Sequence, residues 1–244
     1  MRSLWQKKST LSFFAIYAFL KTAFIRFVYS APILICLGLT LLFLEFIIPS
    51  EYFILFNQSY NGKTLPCLVF FIFATILFFF LLPTLLCTFF YKEKLTHIGF
   101  ALPVKKIETA ILMLLALLLM VPIILWLAKQ HSFQHYYSFN KPSTAKLAFL
   151  ILVIFPIYYI CEEFFFRGFL LINLWKRMRW HSLWITDILF TFAHIAKPLL
   201  EIVIALPAGI ILALLTLRLK SIYPAMVVHY VLGVTMILAV NGII

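Results

Sequence analysis

Residues 158–171 read YYICEEFFFRGFLL, two adjacent carboxylates and a guanidinium in a run that is otherwise apolar and aromatic. An ionised side chain at the centre of a membrane helix costs about 2.5–3.5 kcal/mol even on the gentler insertion scales, so such residues face a protein interior or a wet cavity and suggest function. Helical spacing sorts the three charges. Glu163 and Arg167 are four apart, share a face and can pair. Glu162 is about 100° round the helix from Glu163 and about 140° from Arg167. This leaves a division of labour, with Glu163 and Arg167 as a buried pair and Glu162 able to take a proton as a general base. The competing reading is a purely structural ion network.

Two histidines extend the cluster. His194 falls in ILFTFAHIAKP and His229 in YPAMVVHYVLG, both expected mid-span, whereas His97, His131, His135 and His181 fall in loops. A lone intramembrane histidine usually makes a helix–helix hydrogen bond. Two imidazoles and two carboxylates at compatible depths on three helices are instead a set that can activate a water.

The elements that must position these groups are apolar helices. The 244 residues are 65% hydrophobic and 11% charged, with 28 Phe against 7 Gly and a mean hydropathy of +1.09. A soluble domain carries about 25% charge, so the composition predicts a polytopic membrane protein of the all-α class. Spans are expected at about 31–49, 67–91, 107–128, 146–171, 182–199, 201–217 and 222–240. Residues 10–29, apolar but carrying Lys21 and Arg26, read as an interfacial helix or an eighth span. The expected organisation is a basic N-terminal segment at 1–30 and a helical bundle at 31–244, seven to eight spans with catalytic groups on three interior helices. With the N-terminus inside and seven spans, fourteen of the twenty Lys and Arg fall on the inner side and five on the outer. The net charge of +12 is then a positive-inside bias. No basic–aromatic motif supports nucleic-acid binding. Cys36, Cys67, Cys87 and Cys161 read as small buried hydrophobes, and no cleavable signal peptide is expected.

The motifs resemble those of the CAAX prenyl protease and bacteriocin-processing (CPBP, or Abi) intramembrane proteases. EEFFFR fits the EExxxR signature, FTFAH fits FxxxH as Phe190 and His194, and His229 fits the third motif, usually HxxxN or HxxxD. The resemblance covers about 95–240, most securely 155–235. It implies an endopeptidase acting on a membrane-embedded protein or peptide in the lipid bilayer. It implies Glu162 and His194 as the pair that activates water and His229 as an oxyanion donor, with Glu163, Arg167 and Phe190 in support. The chain's short length resembles the prokaryotic branch, which implies a plasma (inner) membrane location. Glu162, Glu163, His194 and His229 could alternatively ligate zinc, but the spacing is not HExxH and the water chemistry does not require a metal, so no cofactor is expected.

One position departs from that pattern: Gly233 stands where the third motif usually has Asn or Asp. Two other readings therefore remain, a catalytically weakened membrane scaffold such as a bacteriocin-immunity protein, and a transporter using the same buried groups. Asp187, seven residues before His194, could orient that imidazole or be structural. The basic loop 92–108 reads as a positive-inside loop, Phe164, Phe165 and Phe166 as packing and lipid-facing side chains, and 57–60 as a formal glycosylation match.

Overall fold

The computed structural model describes residues 71–138, 144–195 and 197–244. The expected segments at 1–30 and 31–49, the start of the span at 67–91, Glu45, Glu51, Cys36, Cys67 and the 57–60 match lie outside the described residues. Seven helices follow in order: α1 (Phe71–Phe90), α2 (Lys106–Leu127), α3 (His131–Tyr137), α4 (Leu147–Met178), α5 (Trp180–Phe192), α6 (Leu199–Leu219) and α7 (Tyr223–Val240). No strand occurs among the described residues. Helices α1, α2, α4, α6 and α7 are long and apolar enough to cross a membrane. The protein is an integral, multi-pass helical bundle.

Lipid-facing and core faces separate clearly. Leu114, Leu115, Leu118 and Leu119 of α2 are exposed, while Ala116 and Met120 pack against Leu212, Val228 and Leu232 of α6 and α7. Leu127 and Phe133 pack with Met236 at the other end. Every residue of 161–171 on α4 is buried, because α1, α5, α6 and α7 surround it. Phe164, Phe165 and Phe166 are therefore core residues, not lipid-facing ones. Their rings meet Phe79, Phe80 and Phe190 edge-on or tilted. Residues Phe164–Ile172 form a π-helix directly after the two glutamates. Its i→i+5 bonding widens the turn, a feature that concentrates at functional sites.

The expected span at 182–199 differs. Helix α5 has only 13 residues, about 20 Å at 1.5 Å per residue. It ends at Phe192, and the chain runs on to Pro198 through turn bonds from His194 N to Thr191 O and from Lys197 N to His194 O.

Basic side chains gather at one end of the bundle. Glu93 bonds Lys176 at 2.7 Å and Glu108 bonds Arg218 at 2.6 Å, and Glu93, Lys176 and Arg218 share an open cleft with Lys105 and Lys220. Lys197 lies apart from them, paired with Glu201 at 2.9 Å.

Candidate active site

Helix α4 carries the two glutamates into the centre of the bundle, where both are buried. Arg167, one turn on, lies 3.5 Å from Glu163 as an ion pair, as the four-residue spacing predicts. Its Nη2 donates to the Gly209 carbonyl of α6 at 3.3 Å. The guanidinium sits 4.1 Å from the centre of the Phe190 ring, a cation–π contact that holds a fully buried charge.

The structure adds a partner that helical angles did not give. His229 on α7 donates from Nδ1 to Glu163 Oε1 at 2.7 Å, and the same nitrogen lies 3.8 Å from Glu162 Oε2. Glu163 therefore serves an imidazole as well as a guanidinium. Glu162 accepts from the Tyr158 hydroxyl at 3.2 Å on one oxygen. Its other oxygen, Oε2, is buried with no hydrogen-bond partner among the described residues.

His194 is not mid-helix but in the turn after α5. Its Nδ1 donates to the Phe190 carbonyl at 2.9 Å, so in the neutral ring Nε2 is the acceptor. Asp187 does not orient this imidazole. Its carboxylate packs against the Cα of Gly209, where an added Cβ would collide with Oδ1. Neither Asp187 oxygen has a hydrogen-bond partner among the described residues.

Phe190 ties the parts together. Its ring lies against Arg167, 4.6 Å from the His194 ring and 5.6 Å from the His229 ring, centroid to centroid. One aromatic side chain thus sets the spacing of two imidazoles and a guanidinium, and its own carbonyl fixes one tautomer. Among the described residues no hydrogen bond joins Glu162 to His194.

The two imidazoles line a cleft with Tyr159, Phe190, Lys197 and Glu201, with about 80 Å³ open to water. The glutamates lie behind His229 and not on the cleft wall. A second, mostly apolar cavity shares Tyr159, Lys197, Gly233 and Met236 with the first. Lys197 bonds Glu201, which also accepts from Tyr137 of α3 at 2.7 and 2.6 Å, so the turn carrying His194 is fastened to α3 and α6. The sequence reading gave no site role to Tyr158, Tyr159, Lys197 or Glu201. The one signal for the tyrosines is their placement three and four residues before Glu162 on the same helix face.

Among the described residues no three of His, Cys, Asp and Glu are grouped to hold an ion.

Residues 144–235 match the family model described as type II CAAX prenyl endopeptidase Rce1-like. Over this stretch, less than half of the 244 residues, the chain is similar to the CAAX-protease family. No curated protein and no solved structure matches the chain. The match begins three residues before α4 and ends within α7, so it encloses Glu162, Glu163, Arg167, Phe190, His194, His229 and Gly233. The resemblance expected over about 95–240 is thus matched from 144 onward, and α2 lies outside it. The match supports a CAAX-type intramembrane endopeptidase in general.

Proposed function

We propose that the protein hydrolyses a peptide bond of a membrane-anchored or lipidated protein or peptide, with a water activated by Glu162 and His194. The observation that carries this reading is the unpartnered Oε2 of Glu162, 3.8 Å from His229 Nδ1 and directly behind a cleft that admits water. A buried acceptor without a donor is costly unless something fills its place. A water between Glu162 and the imidazoles does so. Glu162 takes the proton of that water as it attacks the scissile carbonyl, and the acceptor Nε2 of His194 helps to orient it. Tyr158 holds the other oxygen of Glu162. Glu163 and Arg167 hold His229, which faces the developing oxyanion. No metal is assigned to this chemistry. The mostly apolar second cavity suits an apolar or lipidated segment of the substrate. The expected location is a prokaryotic plasma membrane, with the basic end of the bundle in the cytoplasm.

The test compares wild type, Glu162→Gln and His194→Ala in native membranes, by whole-proteome mass spectrometry of new protein termini. A terminus formed by wild type and lost in both variants is expected, and it names the substrate. If both variants fold and every terminus persists, the reading fails.

A further inference from the structure

His229 supplies one side chain to the expected oxyanion position, and Gly233, one turn further along the same face of α7, supplies none. The structure shows what occupies the space instead. A Cβ built on Gly233 would collide with the hydroxyl oxygen of Tyr159, with the ring carbon Cζ next at 2.6 Å. The phenol is therefore seated where a side chain at 233 would lie. Its ring is 4.5 Å from the His229 ring, centroid to centroid, and it lines the same cleft as His194 and His229. Tyr159 and Gly233 also lie together on the wall of the second cavity, so both line both cavities.

Resting on the reading above, we propose that Tyr159 is a catalytic residue whose hydroxyl is the second oxyanion donor of this site. A phenol is an O–H donor, which an oxyanion needs and glycine lacks. Tyr159 stands three residues before Glu162 on α4, so one rigid helix carries both the base and the donor. Its ring is wedged between those of Tyr158 and Tyr230, at 5.3 and 6.2 Å. This limits the reorganisation needed as charge develops. The glycine is then a requirement of the tyrosine. Any side chain at 233 displaces the phenol, and an asparagine there can replace the phenol only if the ring is removed.

The experiment uses full-length protein in lipid vesicles and, as probe, the peptide spanning the Glu162-dependent terminus found in the proteome comparison. Tyr159→Phe keeps the ring and should lower kcat about 10²–10³-fold with little change in KM, the usual effect of losing one oxyanion donor. Gly233→Asn alone should also be impaired. Tyr159→Ala combined with Gly233→Asn should recover at least tenfold over Tyr159→Ala, a rescue that a merely structural tyrosine would not give. If Tyr159→Phe cleaves at the wild-type rate while Glu162→Gln does not cleave, Tyr159 is not a donor and the protease reading stands. If no terminus depends on Glu162, both readings fall.

Discussion

The ion pair at the centre of the bundle gives a stability prediction that can be worked from its contacts. Arg167 is completely buried and touches Glu163, the Gly209 carbonyl and the Phe190 ring. Arg167→Met keeps an unbranched chain of comparable length but removes all three polar contacts. Removing one member of a buried pair typically costs about 3–5 kcal/mol, because the other charge is left uncompensated. Here His229 remains on Glu163 at 2.7 Å, so the loss should fall at the lower end, about 3 kcal/mol. Glu163→Gln combined with Arg167→Met removes both charges and should cost less than the two single changes together. The coupling should be about 1.5–3 kcal/mol, within the range for residues in one network. Arg167→Lys keeps the charge, but a single ammonium cannot serve a carboxylate, a carbonyl and a ring at once, so an intermediate loss is expected. The assay is reversible unfolding in mixed detergent micelles for the full cycle. A cost below about 1 kcal/mol for Arg167→Met, or additivity within about 0.5 kcal/mol, would refute the reasoning.

Gly209→Ala should destabilise by about 1–3 kcal/mol, since its Cβ would collide with Asp187 and come within 2.9 Å of Phe190 Cδ1. Adding Asp187→Ala should restore part of the thermal stability, and a failure to do so would mean that the collision is not the cause. Outside the membrane, the Glu93 carboxyl is held below the usual carboxylate range, chiefly by its hydrogen bond from Lys176, against a smaller opposing effect of burial. Because the folded value is depressed, the stabilisation is fully present above the ordinary carboxylate pKa and is lost as pH falls through the lower folded value. Glu93→Gln should therefore flatten the acid limb of a melting-temperature profile. The effect should be small and should fade in high salt, as for any exposed pair; a flattening that persists in high salt would contradict this.

The parts of the site legible in the sequence are the local ones. The Glu163–Arg167 pair follows from four-residue spacing on one helix. The bond from His194 to the Phe190 carbonyl has the same spacing, although its form, a bond to backbone in a turn, did not follow from the motif. What could not be read depends on how helices are rotated against one another. The bond from His229 to Glu163 spans 66 positions, and angles within α4 alone assigned Glu163 only to Arg167. The heptad spacing that suggested Asp187 for His194 assumed a continuous helix, whereas α5 ends at Phe192 and Asp187 turns to Gly209. The π-helix after Glu163 left no mark in an unbroken apolar run. The spans over α1, α2, α4, α6 and α7 were legible because length and apolarity alone set them, and α5 was not, because its end at Phe192 is set by the turns that follow it.

Charge counting explains why the chain keeps two adjacent glutamates where one would pair with Arg167. The buried set holds three carboxylates, Glu162, Glu163 and Asp187, against one guanidinium. A network serving only to hold helices together would gain nothing from the surplus, because each unmatched buried charge costs several kcal/mol. Protons must make up the difference, on the carboxylates or on the imidazoles between them. His229 stands where such a proton can be shared, 2.7 Å from one glutamate and 3.8 Å from the other. Lys197 relieves little of the imbalance, since Glu201 already holds it. On the proposed reading, a proton held in common by carboxylates and an imidazole, beside a cleft open to water, can be moved at small cost when a water is deprotonated and when the leaving amine is protonated. The second glutamate then adds a proton-carrying group to a helix-fastening ion pair.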